Sequence, residues 1–90
     1  YSLLGLTKSM AVELGKFGIR VNSISPSMVN SPLTDKLPSK LKEMTKSQIP
    51  LESRLAEPME IAGVVLFLCS EYASYINGDN ILVTGGSSMS

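Results

Sequence analysis

The chain has 90 residues, no histidine, a single cysteine and eight acidic side chains balanced by eight basic ones. The balanced charge provides no general attraction to nucleic acid or to an anionic membrane surface, and the lack of histidine removes the commonest general base and metal ligand. No apolar run is long enough to span a bilayer. We therefore expect a soluble, intracellular, by default cytoplasmic protein that binds no metal, nucleic acid or membrane.

The first third of the chain predicts a helix followed by a strand. In residues 2–14 apolar side chains recur at the spacing of an amphipathic helix, at Leu3, Leu6, Met10 and Leu14. Gly15 and Gly18 follow, and either glycine can end the helix in a left-handed conformation. Residues 19–25, IRVNSIS, are short and rich in β-branched side chains, which predicts a strand that ends at Pro26.

The middle of the chain predicts a loop and a short helix. Residues 26–31, PSMVNS, are typical of a polar loop at the end of a strand. A helical stretch begins after Pro38, with Leu41 and Met44 on one side. We expect the lysines of this stretch to lie on its solvated side.

The last third predicts a buried helix and a second strand. The helix begins near Pro58, and its sequence GVVLFLC is apolar nearly all round, so we expect burial on more than one side and a packed thiol at Cys69. Asn77-Gly78 is typical of a turn. Residues 81–84, ILVT, predict a short strand.

The order of elements indicates an α/β fold. Two strands joined by a crossover that contains a helix must run parallel, and parallel strands require helices on both faces of the sheet. The predicted elements are too few to cover two faces. We therefore expect this chain to be the end of a larger α/β domain.

Two long stretches of the chain, GLTKSMAVELGKFGIRVNSISPSMV and IPLESRLAEPMEIAGVVLFLCSEYASYINGDNILVTGG, together resemble the C-terminal third of the short-chain dehydrogenase/reductase family. The resemblance covers essentially residues 1–90 and implies the C-terminal segment of a single Rossmann-like domain, a doubly wound parallel sheet in the order helix, strand, lid helix, helix, strand. It also implies hydride transfer between NAD or NADP and a small carbonyl or alcohol. Within the family the loop and last helix are similar to those of carbonyl and L-xylulose reductases.

Tyr1 is the first candidate for a catalytic residue, and the spacing argues against it. A tyrosine and a lysine four residues apart share a helix face, and the ammonium then lowers the pKa of the phenol. Gly5 occupies that position relative to Tyr1. In the family the YxxxK lysine lies eight residues before the lysine of the LTK motif, here Lys8. We therefore expect both catalytic residues upstream of Tyr1, and the 90 residues alone to be inactive.

The resemblance implies that the loop after the first strand contacts the nicotinamide cofactor. Backbone groups near Val29 would hold the carboxamide, and Ser31 stands where the family has a threonine. Ser27 replaces a usual glycine, which would restrict the backbone. The cofactor-binding residues implied are Pro26, Ser27, Met28, Val29 and Ser31. From the residues alone, a polar turn between strand and helix is the favoured interpretation of this loop.

Residues 33–55 align with the substrate lid of the family. The side chains of Leu33, Leu37, Leu41 and Met44 either face a substrate or form the inner side of a short surface helix. Both interpretations remain open. The lid lysines, Lys36, Lys40, Lys42 and Lys46, either meet an anionic substrate or are solvated, and Arg54 matches a structural arginine of the family.

The resemblance also implies a homo-oligomer, a dimer or tetramer formed through residues 57–72 and 80–84, although ordinary core packing explains the apolar GVVLFLC and ILVT equally well. A second hypothesis is a non-catalytic structural or oligomerisation module derived from the same fold, because the phosphate-binding and catalytic motifs of the family are missing from these 90 residues.

Overall fold

A computed structural model describes residues 2–87, so the prediction for Tyr1 lies outside the described residues. Its elements in chain order are α1 (Leu3–Gly15), β1 (Ser23–Pro26), α2 (Pro32–Asp35), α3 (Ser39–Ser47), α4 (Pro58–Cys69), a 3-10 turn (Glu71–Ala73) and β2 (Asn80–Val83). The predicted order of helix, strand, short helix, long helix and strand is confirmed.

The two strands pair with each other in parallel. The Ser23 N–H donates to the Asp79 carbonyl at 2.9 Å, and the Ser27 N–H donates to the Val83 carbonyl at 3.1 Å. In both cases the acceptor lies 56 positions after the donor. A constant separation means that the strands run in the same direction. The α/β class with a parallel sheet is therefore confirmed.

The described residues divide into two units, one of residues 2–25 with 64–81 and one of residues 26–63 with 82–87. In the first unit the most buried side chains are small, at Thr7, Ala11 and Ala73. In the second unit the buried apolar side chains are Ile49 and Leu55, and Ser27 and Thr84 are buried polar residues.

Both ends of α1 are closed by local hydrogen bonds. The Ser2 hydroxyl accepts the Gly5 N–H at 2.9 Å and caps the first turn. Of the two glycines that follow the helix, Gly18 takes the left-handed conformation, with φ of +77°. Gly15 remains helical and is the last residue of α1.

The first strand is shorter than predicted, and residues 19–22 are held instead by a mixture of side-chain and backbone bonds, including the Gly78 N–H to the Val21 carbonyl at 2.8 Å. The Val21 N–H donates to the Asn77 side chain at 2.9 Å. Asn22 donates to the Ile76 carbonyl at 2.9 Å and accepts the Asp79 N–H at 3.0 Å. At the predicted turn the chain bends at Gly78, which has φ of +78°.

Helix α4 is apolar but poorly covered. None of its residues is buried, and Val65, Leu66 and Phe67 are 43%, 68% and 46% exposed. The prediction of burial on more than one side is wrong for this chain, and so is the packed thiol, since Cys69 is exposed. The described residues place no element against much of this helix. None of the helices in residues 2–87 has the length and apolar character needed to cross a membrane.

Two glycines with nearly the same positive φ allow a matched test of the packing at Gly78. Gly78 has φ of +78° and its added Cβ would lie 3.3 Å from the Ala11 Cβ, whereas a Cβ on Gly18, with φ of +77°, would meet nothing within 4 Å. We expect Gly18→Ala to cost roughly 1–2 kcal/mol of unfolding free energy, from the left-handed backbone alone. Gly78→Ala should cost about 1 kcal/mol more from overpacking. Equal losses in chemical denaturation would show that Gly78 is not closely packed.

Candidate functional site

The loop after β1 is fixed to a distant segment by an isolated parallel bridge between Val29 and Ala56. The Ala56 N–H donates to the Met28 carbonyl at 3.3 Å, and the Asn30 N–H donates to the Ala56 carbonyl at 2.8 Å. The Asn30 side chain adds a bond to the Glu57 carboxylate at 3.2 Å. The loop is therefore held on both sides of Val29.

The bridge leaves the backbone of Val29 itself facing away from Ala56, because a parallel bridge uses the groups of the neighbouring residues. The Val29 carbonyl accepts the Thr34 hydroxyl at 2.9 Å. Among the hydrogen bonds of residues 2–87, none has the Val29 N–H as its donor. A fixed backbone N–H without a protein acceptor can bind a carbonyl or amide oxygen of a ligand.

Ser31, one of the predicted cofactor residues, caps helix α2. Its hydroxyl accepts the Thr34 N–H at 3.4 Å, and the Thr34 hydroxyl accepts the Ser31 N–H at 2.9 Å. This reciprocal cap with Pro32 in the first turn explains a helix that the sequence interpretation missed. The Ser-Pro-x-Thr pattern was the signal for it.

Ser27, predicted to be restricted by its side chain, is accommodated without backbone strain. It is 8% exposed, and its φ is not among the positive values found for Glu52 and Ser53. Serine therefore adopts the required conformation as an ordinary L-residue. The structure thus places Ser27 as a buried residue directly after β1, next to the exposed Pro26.

An ion pair anchors the partner segment of the loop. The Arg54 guanidinium donates to both oxygens of the Glu60 carboxylate, at 2.6 and 2.9 Å. The same carboxylate accepts the Glu57 N–H at 2.9 Å. With Ser27 and Ala56, these two side chains help to line a cavity of about 90 Å³. Sequence reasoning assigned Arg54 a structural role but did not find Glu60.

The lid side chains are largely exposed. Leu33, Leu41 and Met44 are 75%, 44% and 53% exposed, and Leu37 is half-buried. Two of the four lid lysines, Lys42 and Lys46, are half-buried and are therefore less solvated than predicted. Lys42 and Lys46 pair with Asp35 and Glu43, and both line a cleft of about 180 Å³ with Asn30, Arg54, Leu55 and Glu57. Lys36 and Lys40 are exposed, as predicted.

The described residues contain no group of three or more His, Cys, Asp or Glu side chains that could hold a metal ion. The fit of residues 26–31 to a nicotinamide cofactor depends instead on backbone hydrogen bonding and on the position of the loop. The free Val29 N–H matches a carboxamide oxygen, and the position after a parallel strand is where open α/β sheets bind ligands.

Comparison with known proteins identifies the family to which this chain belongs. The family model described as enoyl-(acyl carrier protein) reductase matches residues 1–88. The chain is 48% identical over 84 residues to a 3-oxoacyl-[acyl-carrier-protein] reductase of Aquifex aeolicus, covering 93% of this chain and 34% of that protein. It is 43% identical to a mouse (3R)-3-hydroxyacyl-CoA dehydrogenase, covering 93% of this chain and 32% of that protein.

Two further relatives extend the comparison. The chain is 42% identical over 89 residues to a meso-2,3-butanediol dehydrogenase of Serratia marcescens, covering 99% of this chain and 35% of that protein. A crystal structure of a 3-oxoacyl-[acyl-carrier protein] reductase from Brucella melitensis superposes with a TM-score of 0.92 at 33% identity, covering 98% of this chain and 32% of that one.

The chain belongs to the short-chain dehydrogenase/reductase family of oxidoreductases, and its fold matches part of the family's Rossmann-like domain. It spans about a third of the length of the relatives that it matches. The carbonyl or L-xylulose reductase subtype stays a prediction, since the relatives named above carry other names.

The Arg54–Glu60 pair should affect the stability of the protein at low pH. Hydrogen bonds from the Arg54 guanidinium, then from the Glu57 N–H, lower the pKa of Glu60 from 4.5 to about 2. A lowered pKa means that the contribution of Glu60 to stability is complete above pH 4.5 and is lost as the pH falls toward 2. Carboxyl NMR should give a Glu60 midpoint near 2, which Arg54→Gln shifts toward 4.5.

Glu43→Gln is the matched control, since it removes one exposed carboxylate that pairs with Lys46 on α3. This change should leave the Glu60 midpoint where it was. A midpoint near 4.5 for Glu60 in the unchanged protein would mean that the pair does not form in solution.

Proposed function

We propose that the protein containing this chain transfers a hydride between NAD or NADP and a small carbonyl or alcohol, and that residues 26–31 contribute the nicotinamide side of its cofactor site. The observation that carries this proposal is the Val29 N–H, which is fixed by the Val29–Ala56 bridge and has no acceptor among residues 2–87. Membership in a family of oxidoreductases supports it.

The roles of this chain in that reaction are binding and orientation. The cofactor supplies the hydride when bound, and its carboxamide offers an oxygen to the Val29 N–H. The Val29 carbonyl, already an acceptor for the Thr34 hydroxyl, has a second lone pair for the carboxamide NH₂ group. A carboxamide held at these two groups fixes the orientation of the ring, which is what hydride transfer requires. The proposal assigns no proton-transfer residue to this chain.

We propose a ketone or a secondary alcohol as the substrate. The names of the relatives describe a 3-oxoacyl group, a 3-hydroxyacyl group and 2,3-butanediol, and each is a ketone or a secondary alcohol. The apolar side chains of Leu33, Leu41 and Met44 are exposed on the lid segment, which supports contact with an apolar part of the substrate, together with Leu37. Apolar lids exclude water when they close.

The first test is hydride transfer and cofactor binding by the protein. We expect it to oxidise NADH or NADPH with a 3-oxoacyl thioester or with a small diketone, and to bind one of the two cofactors in a fluorescence titration. Ser31→Ala removes both a helix cap and the proposed hydroxyl contact. It should weaken cofactor binding about three- to tenfold, as expected for one hydrogen bond.

Ser31→Thr is the matched variant, because threonine keeps the hydroxyl and is the residue usual in the family at this position. It should bind the cofactor as tightly as the unchanged protein. Failure to bind either nicotinamide, or to transfer hydride to any ketone, would refute the proposed function.

We also propose that residues 57–72 and 80–84 form the contact between subunits of a homo-oligomer. Support comes from apolar side chains that lie exposed in these ranges, at Met59, Val65, Leu66, Phe67 and Leu82. Exposed apolar surface of this kind is typical of protein interfaces.

A single charge tests this interface. Leu66→Asp should shift the protein to a smaller species in sedimentation velocity, because a carboxylate buried without a partner opposes association. Leu33→Asp is the control, since Leu33 is also well exposed, 75% against 68% for Leu66, but lies in the lid segment. If both Leu66→Asp and Leu33→Asp dissociate the oligomer, or if neither does, the proposed interface through residues 57–72 and 80–84 is contradicted.

A further inference from the structure

We propose that Arg54 and Glu60 are positioning residues for the cofactor loop, and that their ion pair sets the position of the Val29 N–H. This inference rests on the proposed function, because it names what holds the proposed cofactor contact in place. Three sets of contacts, all within the unit of residues 26–63 with 82–87, connect the ion pair to the loop.

The first step joins Arg54 to the start of α4. The guanidinium and the carboxylate of Glu60 meet through two hydrogen bonds, and a two-point contact of this kind fixes orientation as well as distance. Because Glu60 also accepts the Glu57 N–H, both ends of the segment 54–57 are fastened to one carboxylate. The Arg54 guanidinium additionally donates to the Leu55 carbonyl at 3.2 Å.

The second step concerns the backbone that leads into this segment. Glu52 and Ser53 have φ of 56° and 48°, in the left-handed region that residues other than glycine seldom adopt. Such a conformation persists only where the surrounding contacts enforce it. Contacts on both sides hold this backbone. The Leu51 N–H donates to the Gly85 carbonyl at 2.9 Å. The Leu55 side chain is buried, and Arg54 pairs with Glu52 at 3.5 Å as well as with Glu60.

The third step carries the position of the segment to the loop. Ala56 exchanges hydrogen bonds with Met28 and Asn30, and the Glu57 carboxylate accepts from the Asn30 side chain. These three bonds flank Val29 on both sides. A shift of residues 55–57 therefore moves the Val29 N–H, whose direction decides whether it can reach a carboxamide oxygen.

Other ion pairs of the same unit lack these connections. Lys42–Asp35 and Lys46–Glu43 are single contacts of 3.2 and 3.4 Å, and their carboxylates are 62% and 71% exposed. Exposed pairs contribute little to stability. Arg54 and Glu60 are themselves partly exposed, so the two-point geometry, rather than the strength of the attraction, distinguishes this pair.

The test compares Glu60→Ala, Glu60→Gln and Arg54→Lys with the control Glu43→Ala in the protein. The readouts are kcat and the KM for the nicotinamide cofactor, together with amide hydrogen exchange at Asn30 and Ala56. Glu60→Gln keeps an acceptor for the Glu57 N–H and should have an intermediate effect. Arg54→Lys keeps the charge but loses the two-point contact.

We expect Glu60→Ala and Arg54→Lys to raise the cofactor KM roughly tenfold, as displaced supporting groups do, with kcat at saturating cofactor largely unchanged. Exchange at Asn30 and Ala56 should become faster, and Glu43→Ala should change neither readout. A merely structural pair would instead reduce kcat through loss of folded protein and leave KM unchanged.

The outcomes that overturn the inference are distinct from those that refute the proposed function. Unchanged KM or unchanged exchange at Asn30 and Ala56 in Glu60→Ala, with cofactor binding by the unchanged protein intact, overturns the positioning role alone. Absence of nicotinamide binding by the unchanged protein refutes the proposed function and this inference with it.

Discussion

The parallel bridge between Val29 and Ala56 is the constraint on which the candidate site depends. It uses the N–H groups of Asn30 and Ala56 and leaves the Val29 N–H without an acceptor among the described residues. Val29 is half-buried, and a backbone donor held in place without a protein acceptor is available to a ligand. The cap at Ser31 and the Arg54–Glu60 pair both serve this arrangement, because each fixes the chain on one side of the bridge.

Local patterns in the sequence predicted most of the regular structure. Helical spacing identified α1, and the stretch after Pro38 became α3. The apolar run after Pro58 identified α4. This helix ends at Cys69, and a separate 3-10 turn follows it at Glu71–Ala73. The two short β-branched runs gave the parallel strands, although only the second half of the first run pairs. These elements were predictable because hydrophobic periodicity and helix-ending residues are signals contained within a few neighbouring residues.

Features that depend on distant partners were not predictable. The bridge joins residues 27 positions apart, and no local signal marks Ala56 as the partner of Val29. Lys42 is half-buried and pairs with Asp35 of α2, a contact that the spacing of residues within α3 does not reveal. The exposure of α4 and Cys69 follows from what is packed against them rather than from their own hydrophobicity. The loop residues 26–31 were found through resemblance to the family, and the structure supplied the geometry.

The central claim is that the Val29 N–H binds the nicotinamide carboxamide, and backbone NMR of the protein during addition of NADH or NADPH tests it most directly. The account predicts a downfield shift and slower exchange for the Val29 amide, with the amides of Asn30 and Ala56 keeping their protection because the bridge remains intact. Saturation of the protein with cofactor while the Val29 amide is unaffected would contradict it.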